Sequence, residues 1–262
     1  MPSSDPSLAS LFSLEGKVAL VTGGGAGIGR AVARTMALAG GARVAINDLA
    51  TGSGHRTLAA ELTGKGRTAI AVDADVADAA AVRAMIAEVE EMLGPVDILI
   101  NNAGIALPRT IADTEPEDWE RVLAIHLGGA YLASRLVLPG MKERRSGAIV
   151  QLSSIVAHQG ALRGHIAYGT AKAGLLGFTK SLARDAGPFN VRVNAIAPGI
   201  VDTEMLWATH GEAGIAELKK SVPLGTLASV DDIAAAALFL VSPAASHITG
   251  TTLDVAGGMV MR

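Results

Sequence analysis

Seven short runs rich in Val, Ile, Leu and Ala punctuate the chain: KVALVT (17–22), ARVAIN (42–47), RTAIAV (67–72), VDILIN (96–101), GAIVQLS (147–153), VRVNAI (191–196) and TTLDV (251–255). They are nearly continuous in apolar residues instead of alternating, which suits strands covered on both faces. Helical patterns fill the intervals at 27–39, 53–63, 78–93, 117–145, 168–186 and 230–241. Strand and helix in turn predict an α/β domain, a parallel sheet with helices on both faces. No Pro/Gly/Ser-rich linker and no repeat divides the chain, so one domain over 14–262 is expected after a loose tail at 1–13. The interval 199–229 carries no strand pattern and predicts short helices and a mobile loop over the substrate.

Half of the 262 residues are apolar and 18% are charged, enough for a large core. A net charge of -3 and a pI near 6.1 give no electrostatic reason to expect nucleic acid or an anionic membrane as partner. The basic run MKERRSG (141–147) reads as a helix C-terminus with a glycine stop. Absence of cysteine excludes disulfides, thiolate metal sites and a cysteine nucleophile, and agrees with a cytoplasmic protein. The N-terminus has no secretory pattern, and the apolar run IAAAALFLV (233–241) is too short to cross a bilayer.

TGGGAGIG, Thr22 to Gly29, lies between the first strand and the first helix pattern. Such a turn can bind a dinucleotide: the helix N-terminus offers free N–H groups and partial positive charge, and glycine lets a pyrophosphate approach. Gly23, Gly27 and Gly29 have the spacing G-x3-G-x-G, with Gly25 and Ile28 between them; a tight turn without ligand is the bland alternative. Asp48, just past the second strand, is placed to accept bonds from adenosine ribose hydroxyls and to repel a 2′-phosphate, which favours NAD. A loop cap is the other reading of Asp48.

Tyr168 and Lys172 in YGTAK share one helix face. A tyrosine that transfers protons near neutrality needs its pKa lowered by about three units, which a nearby ammonium and an oxidised nicotinamide would favour. TGGGAGIG, NNAG (Asn101 to Gly104), the Ser153–Ser154 pair, YGTAK and Pro198–Gly199 occur in this order and spacing, and the chain resembles the short-chain dehydrogenase/reductase family from about Leu14 to Gly258. The resemblance implies a single Rossmann-type, doubly wound domain with a seven-stranded parallel sheet, and hydride exchange between a nicotinamide and an alcohol or carbonyl. It also implies roles: Tyr168 as general acid/base, Lys172 on the nicotinamide ribose, and Ser154 on the substrate oxygen, with Ser153 the alternative. Asp75 and Val76 would flank adenine, unless Asp75 caps the next turn. Asn102, Ala103 and Gly104 would line the cofactor, and Pro198, Gly199, Val201 and Thr203 would meet the nicotinamide. Asn101 reads as a sheet stabiliser.

The chain departs from the family pattern in three places. LAIHLGGAY puts His126 where many members have a relay asparagine, so His126 is expected either as a fourth catalytic residue that titrates near neutrality or as a packing histidine. The stretch from Ser154 to Tyr168 is one residue longer than expected, and His158, Gln159, Leu162, Arg163 and His165 fall in it. Ala256 stands where many relatives have Asp. The expected function is an NAD(H)-dependent oxidoreductase interconverting a secondary alcohol and a ketone, without metal. Ile200, Met205, Leu206 and Trp207 hint at an uncharged substrate. The alternatives are an NADPH-dependent 3-oxoacyl thioester reductase and a non-catalytic nucleotide-binding regulator. By resemblance a homotetramer is expected, with the helices at 117–145 and 165–187 pairing across one interface.

Overall fold

A computed structural model describes residues 8–161 and 164–261, and of Leu8, Ala9, Met205, Ala208, Thr209 and His210 only the backbone. Seven parallel strands form one sheet in the order β3-β2-β1-β4-β5-β6-β7. They are β1 (Val18–Val21), β2 (Arg43–Asp48), β3 (Ala69–Asp73), β4 (Ile98–Asn101), β5 (Gly147–Leu152), β6 (Val191–Pro198) and β7 (Thr252–Val255). Each lies where an apolar run predicts it.

The double-sided cover explains why those runs do not alternate. Ala19 and Val21 point into one core with α2 (Gly27–Leu38), α3 (Gly54–Gly64) and α10 (Val230–Val241). Val18 and Leu20 point into a second core with α4 (Ala79–Leu93), α6 (Gly129–Arg144) and α8 (Ile166–Ala186). An alternating strand would bury polar groups on one of these faces. By length and composition the stretch Pro116–Arg144 is apolar enough to cross a bilayer, yet it turns Ala133, Val137 and Met141 into the second core.

Chain direction away from β1 reverses between β2 and β4. That switch point opens a crevice at the C-terminal ends of β1 and β4, where the glycine loop lies.

Three local expectations are modified. Leu8–Phe12 within the expected loose tail is a short helix, α1; residues 1–7 lie outside the described residues. The helix ending in MKERRSG stops on Arg145 in the left-handed region (φ 52°), not on a glycine. Gly147 instead begins β5, where a Cβ would come within 2.6 Å of the Met141 sulfur. The helix expected over 117–145 is split into α5 (Pro116–Leu123), a π turn (Ala124–Gly128) and α6.

Candidate active site

At the nucleotide end, hydrogen bonds tie the glycine loop to the segment after β4. Thr22 Oγ1 accepts the N–H groups of Asn102 and Ala103, both at 3.1 Å. The Asn102 amide donates to the carbonyls of Thr22 (3.0 Å) and Gly23 (2.9 Å). Asn102 thus acts through its side chain on the loop, and Asn101 donates to Ser134 of α6, tying the sheet to the helix that covers it.

The glycines divide by purpose. A Cβ on Gly29 would lie 2.2 Å from the Gly23 carbonyl oxygen, one on Gly23 (φ 62°) 2.8 Å from the Ala103 Cα, and one on Gly25 2.5 Å from an Asp48 oxygen. Gly27 (φ 50°) faces open space. There α2 begins, and Ala26 before it supplies no side-chain cap, so the first N–H groups of the helix are left for an outside acceptor. Free donors, helix dipole and room at Gly27 fit a pyrophosphate. Ile28 is half-buried against the first core.

Asp48 closes this end. One oxygen accepts the Gly25 N–H (2.9 Å) and the other the Leu49 N–H (2.8 Å). Asp75 accepts the Ala77 N–H at 2.9 Å and pairs with Arg121 at 2.8 Å, while Asp78 caps α4. Burial opposes ionisation of Asp75, but Arg121 and the Ala77 N–H outweigh it and hold the carboxyl below its usual value. Val76 is buried, with Gly129 pressed against it.

At the other end β5 delivers two serines with opposite duties. Ser153 is buried and donates to the Lys172 carbonyl at 2.8 Å. Ser154 accepts the Val156 N–H at 3.4 Å, and its hydroxyl faces Tyr168 closely enough to favour the phenolate. Lys172 lies one turn beyond Tyr168 on α8, fully buried, with Nζ donating to the Leu152 carbonyl and 5.5 Å from the Tyr168 ring centroid. Burial draws its pKa down to about 7. In the protein without cofactor burial raises the Tyr168 pKa, and Ser154 opposes that rise only in part, so the fall expected beside an oxidised nicotinamide is not reached by the protein alone. The phenol is desolvated while the ammonium turns to a backbone carbonyl, so the protein alone favours the neutral phenol.

The π turn rotates His126 toward this cluster. It is 4% exposed, its ring meets Tyr168 edge-on at 5.4 Å, and its Nε2 lies 2.7 Å from the Ile105 carbonyl oxygen. Gly104 makes room, since a Cβ there would come within 2.1 Å of the imidazole. Titration of His126 near neutrality is corrected: burial, then the nearby Lys172 charge, lowers its pKa to about 3 despite the Ile105 bond. The imidazole is neutral at physiological pH.

A glycine crevice at one end of α2 and a Ser–Tyr–Lys cluster at the end of β5 together match one family throughout their length. A family model described as enoyl-(acyl carrier protein) reductase matches residues 23–260. D-threitol dehydrogenase of Mycolicibacterium smegmatis is 43% identical over 96% of this chain and 95% of its own. The 3-oxoacyl-(acyl-carrier-protein) reductase FabG of Vibrio harveyi is 38% identical over 95% of this chain and all of its own. A blue fluorescent protein from a metagenomic library, crystallised with NADPH, superposes with a TM-score of 0.88 at 36% identity, covering 95% of this chain and all of that one. The chain belongs to the short-chain dehydrogenase/reductase family. It is an oxidoreductase of that type with a nicotinamide cofactor.

On the substrate side of this short-chain dehydrogenase/reductase, β6 ends at Pro198, whose carbonyl accepts the Ile155 N–H at 3.0 Å. Gly199 packs so closely on Ala256 that a Cβ on Gly199 would lie 2.9 Å from the Ala256 Cα, which is why residue 199 is glycine; nothing in the structure explains Ala256 itself. Val201 bridges to Ala228, closing the neck of the 199–229 segment. Thr203 caps α9 (Glu204–Lys220) through the Leu206 N–H, and Gly211 (φ 61°) kinks that helix. Trp207 donates to Asp202 at 2.6 Å. His158 lies 3.3 Å from Asp254, and Gln159 ends α7 (Val156–Gln159). His165 adopts φ 63° beside Tyr168; Leu162 and Arg163 lie outside the described residues. Sequence reasoning missed Thr22 as the clamp of the loop and the Leu152 and Ile105 carbonyls. The threonine before the glycines was a usable signal, whereas no side chain announces a carbonyl.

Proposed function

We propose that the chain is an NAD(H)-dependent oxidoreductase that interconverts a secondary alcohol and a ketone. The observation that carries the catalytic half is the grouping of Tyr168 and Lys172 at the end of β5, with Lys172 Nζ 5.5 Å from the Tyr168 ring centroid and the Ser154 hydroxyl near enough to act on the phenol. A bound nicotinamide supplies hydride transfer to or from the carbinol carbon. Ser154 donates a hydrogen bond to the substrate oxygen and steadies charge developing there. Tyr168 gives its proton to that oxygen in reduction and, as phenolate, takes it in oxidation. Lys172 holds the nicotinamide ribose and favours the phenolate. His126, neutral and locked on Ile105, acts as a fourth site residue by positioning the Tyr168 edge. Gly27, Gly29, Asp75, Val76, Ala103, Gly104, Pro198, Gly199, Val201 and Thr203 line the dinucleotide, with Gly23, Gly25, Ile28 and Asn102 shaping the loop beneath it.

Support for NAD comes from Asp48, whose carboxylate repels a 2′-phosphate, and from the commitment of nearby cations. Arg30 is paired with Glu61 at 3.0 Å, and Arg56 with Asp73. The second reading is an NADPH-dependent 3-oxoacyl thioester reductase, favoured by likeness to the Vibrio reductase and to the NADPH-bound structure. A cytoplasmic homotetramer is part of the proposal. A groove of about 350 Å³ lined by Tyr131, Leu138, Pro139, Phe178 and Leu182 on α6 and α8 suits a second copy.

The test is steady-state turnover with NAD and NADP over matched secondary alcohols, ketones and a 3-oxoacyl thioester. NAD with simple alcohols is expected to dominate, and Tyr168→Phe is expected to lose about 10²- to 10⁴-fold in rate. Thioester reduction with NADPH alone would move the assignment to the second reading, and a wild-type rate in Tyr168→Phe would remove the acid/base role.

A further inference from the structure

The cofactor reading places adenosine ribose at Asp48, and the following inference rests on it. Asp48 and Asp73 are register partners on the neighbouring strands β2 and β3, so two carboxylates leave the same end of the sheet side by side. Asp48 is held by backbone N–H groups and, among the described residues, is paired with no cation. Asp73 is held differently. Its Oδ1 lies 2.7 Å from Nε2 of His55, a fully buried side chain, and its Oδ2 takes the Arg56 guanidinium.

Arg56 also donates to the Gly52 carbonyl at 2.7 Å and the Ala50 carbonyl at 3.4 Å. Its guanidinium therefore lies over the loop that directly follows Asp48, where a phosphate on the ribose would look for a cation. An exposed Arg–Asp pair is weak by itself and either partner swings freely. What fixes this one is the side away from solvent. His55 cannot swing in its packed site, and its Nδ1 has no hydrogen-bond partner among the described residues, so its polar anchorage is Asp73. A pinned carboxylate holds Arg56 in turn.

We propose that Asp73, pinned from beneath by His55, is a second determinant of nucleotide choice: it keeps Arg56 from a ribose 2′-phosphate and so reinforces the repulsion exerted by Asp48. Asp48 acts by like charge, Asp73 by withholding the opposite charge. Removing the first alone leaves a 2′-phosphate without a free guanidinium, because Arg30 is engaged by Glu61 and the Gly54 carbonyl.

The test is direct titration of the cofactor-free protein with NADH and NADPH, read by nicotinamide fluorescence, with thermal melting as a check on folding. Asp73→Asn keeps an oxygen for His55 and removes the charge that holds Arg56; Asp73→Ser removes the same charge with a different shape. Either is expected to tighten NADPH about three-fold, the scale of an exposed ion pair, with NADH unchanged. In an Asp48→Ser background the same substitution is expected to gain about ten-fold for NADPH, and adding Arg56→Gln erases that gain. An NADPH dissociation constant indifferent to Asp73→Asn and Asp73→Ser in both backgrounds, or a gain that survives Arg56→Gln, overturns the proposal. Wild-type protein that binds NADPH more tightly than NADH overturns the Asp48 reading and this inference with it.

Discussion

The two ends of the crevice are built on opposite principles. The nucleotide end works through atoms that are missing: Gly23, Gly25 and Gly29 stand where a methyl group would strike backbone or Asp48, and Gly27 leaves open space before a helix without a side-chain cap. The proton-transfer end works through groups that are present and desolvated. Burial raises Tyr168, draws Lys172 down to about 7 and His126 down to about 3. All three shifts favour the neutral form. Backbone geometry is complete before a ligand arrives, whereas the electrostatics of the other end wait for a cation that an oxidised nicotinamide carries.

The sharpest way to break this contrast is within the glycine loop. Gly29→Ala puts a methyl group 2.2 Å from a backbone oxygen that no side-chain rotation can move, and is expected to cost about 3 kcal/mol or more of stability. Gly27→Ala meets nothing within 4 Å and should cost only about 1–2 kcal/mol for its left-handed backbone, while weakening dinucleotide binding by filling the approach. Denaturant midpoints and NADH titrations of the two variants check the ranking, and a reversed order would mean that the loop does not divide as described.

Comparable in size is a pH effect at the other end. His126 is neutral in the fold down to pH about 3 but takes a proton at 6.5 when unfolded, so the unfolded state binds more protons between those values. Stability is therefore lost as pH falls from 6.5 toward 3. Relative to His126→Asn, the wild type should lose on the order of 4 kcal/mol more across that window, as read by urea melts. Lys172 has the same sign higher up: folded near 7 against 10.5 unfolded, it makes the protein more stable as pH rises through that interval. Equal acid slopes for wild type and His126→Asn would show that the imidazole is not desolvated as its packing implies.

The fold was readable because its strongest constraint is local. Runs such as VALV and DILIN are apolar on both faces, and a strand of that kind has few places to go. The Tyr168–Lys172 spacing and the glycine spacing were readable for the same reason, each being a period of one element. What escaped were effects of neighbours distant in sequence. Nothing near Tyr168 in the chain announces that it packs, with Ile105, Leu107 and Trp119, against the buried cluster of Val122, Ala167 and Ala171, so the burial that raises its pKa in the protein alone was not legible. Nothing near His126 announces a π turn, which one extra residue in an otherwise regular helix produces without a distinctive residue type. Arg145 ends a helix where glycine was expected because Asn190 donates to its carbonyl at 2.9 Å from across the fold.

The central claim is that the folded protein by itself keeps Tyr168 protonated and that oxidised cofactor reverses this. With only two tyrosines in the chain, Tyr131→Phe leaves Tyr168 as the sole phenol, and its ionisation can be followed by ultraviolet absorbance with and without saturating NAD. The account predicts a midpoint above that of free tyrosine without NAD, moving below it when NAD is bound. A midpoint that ignores NAD, or that already lies below the free value without it, would contradict the account.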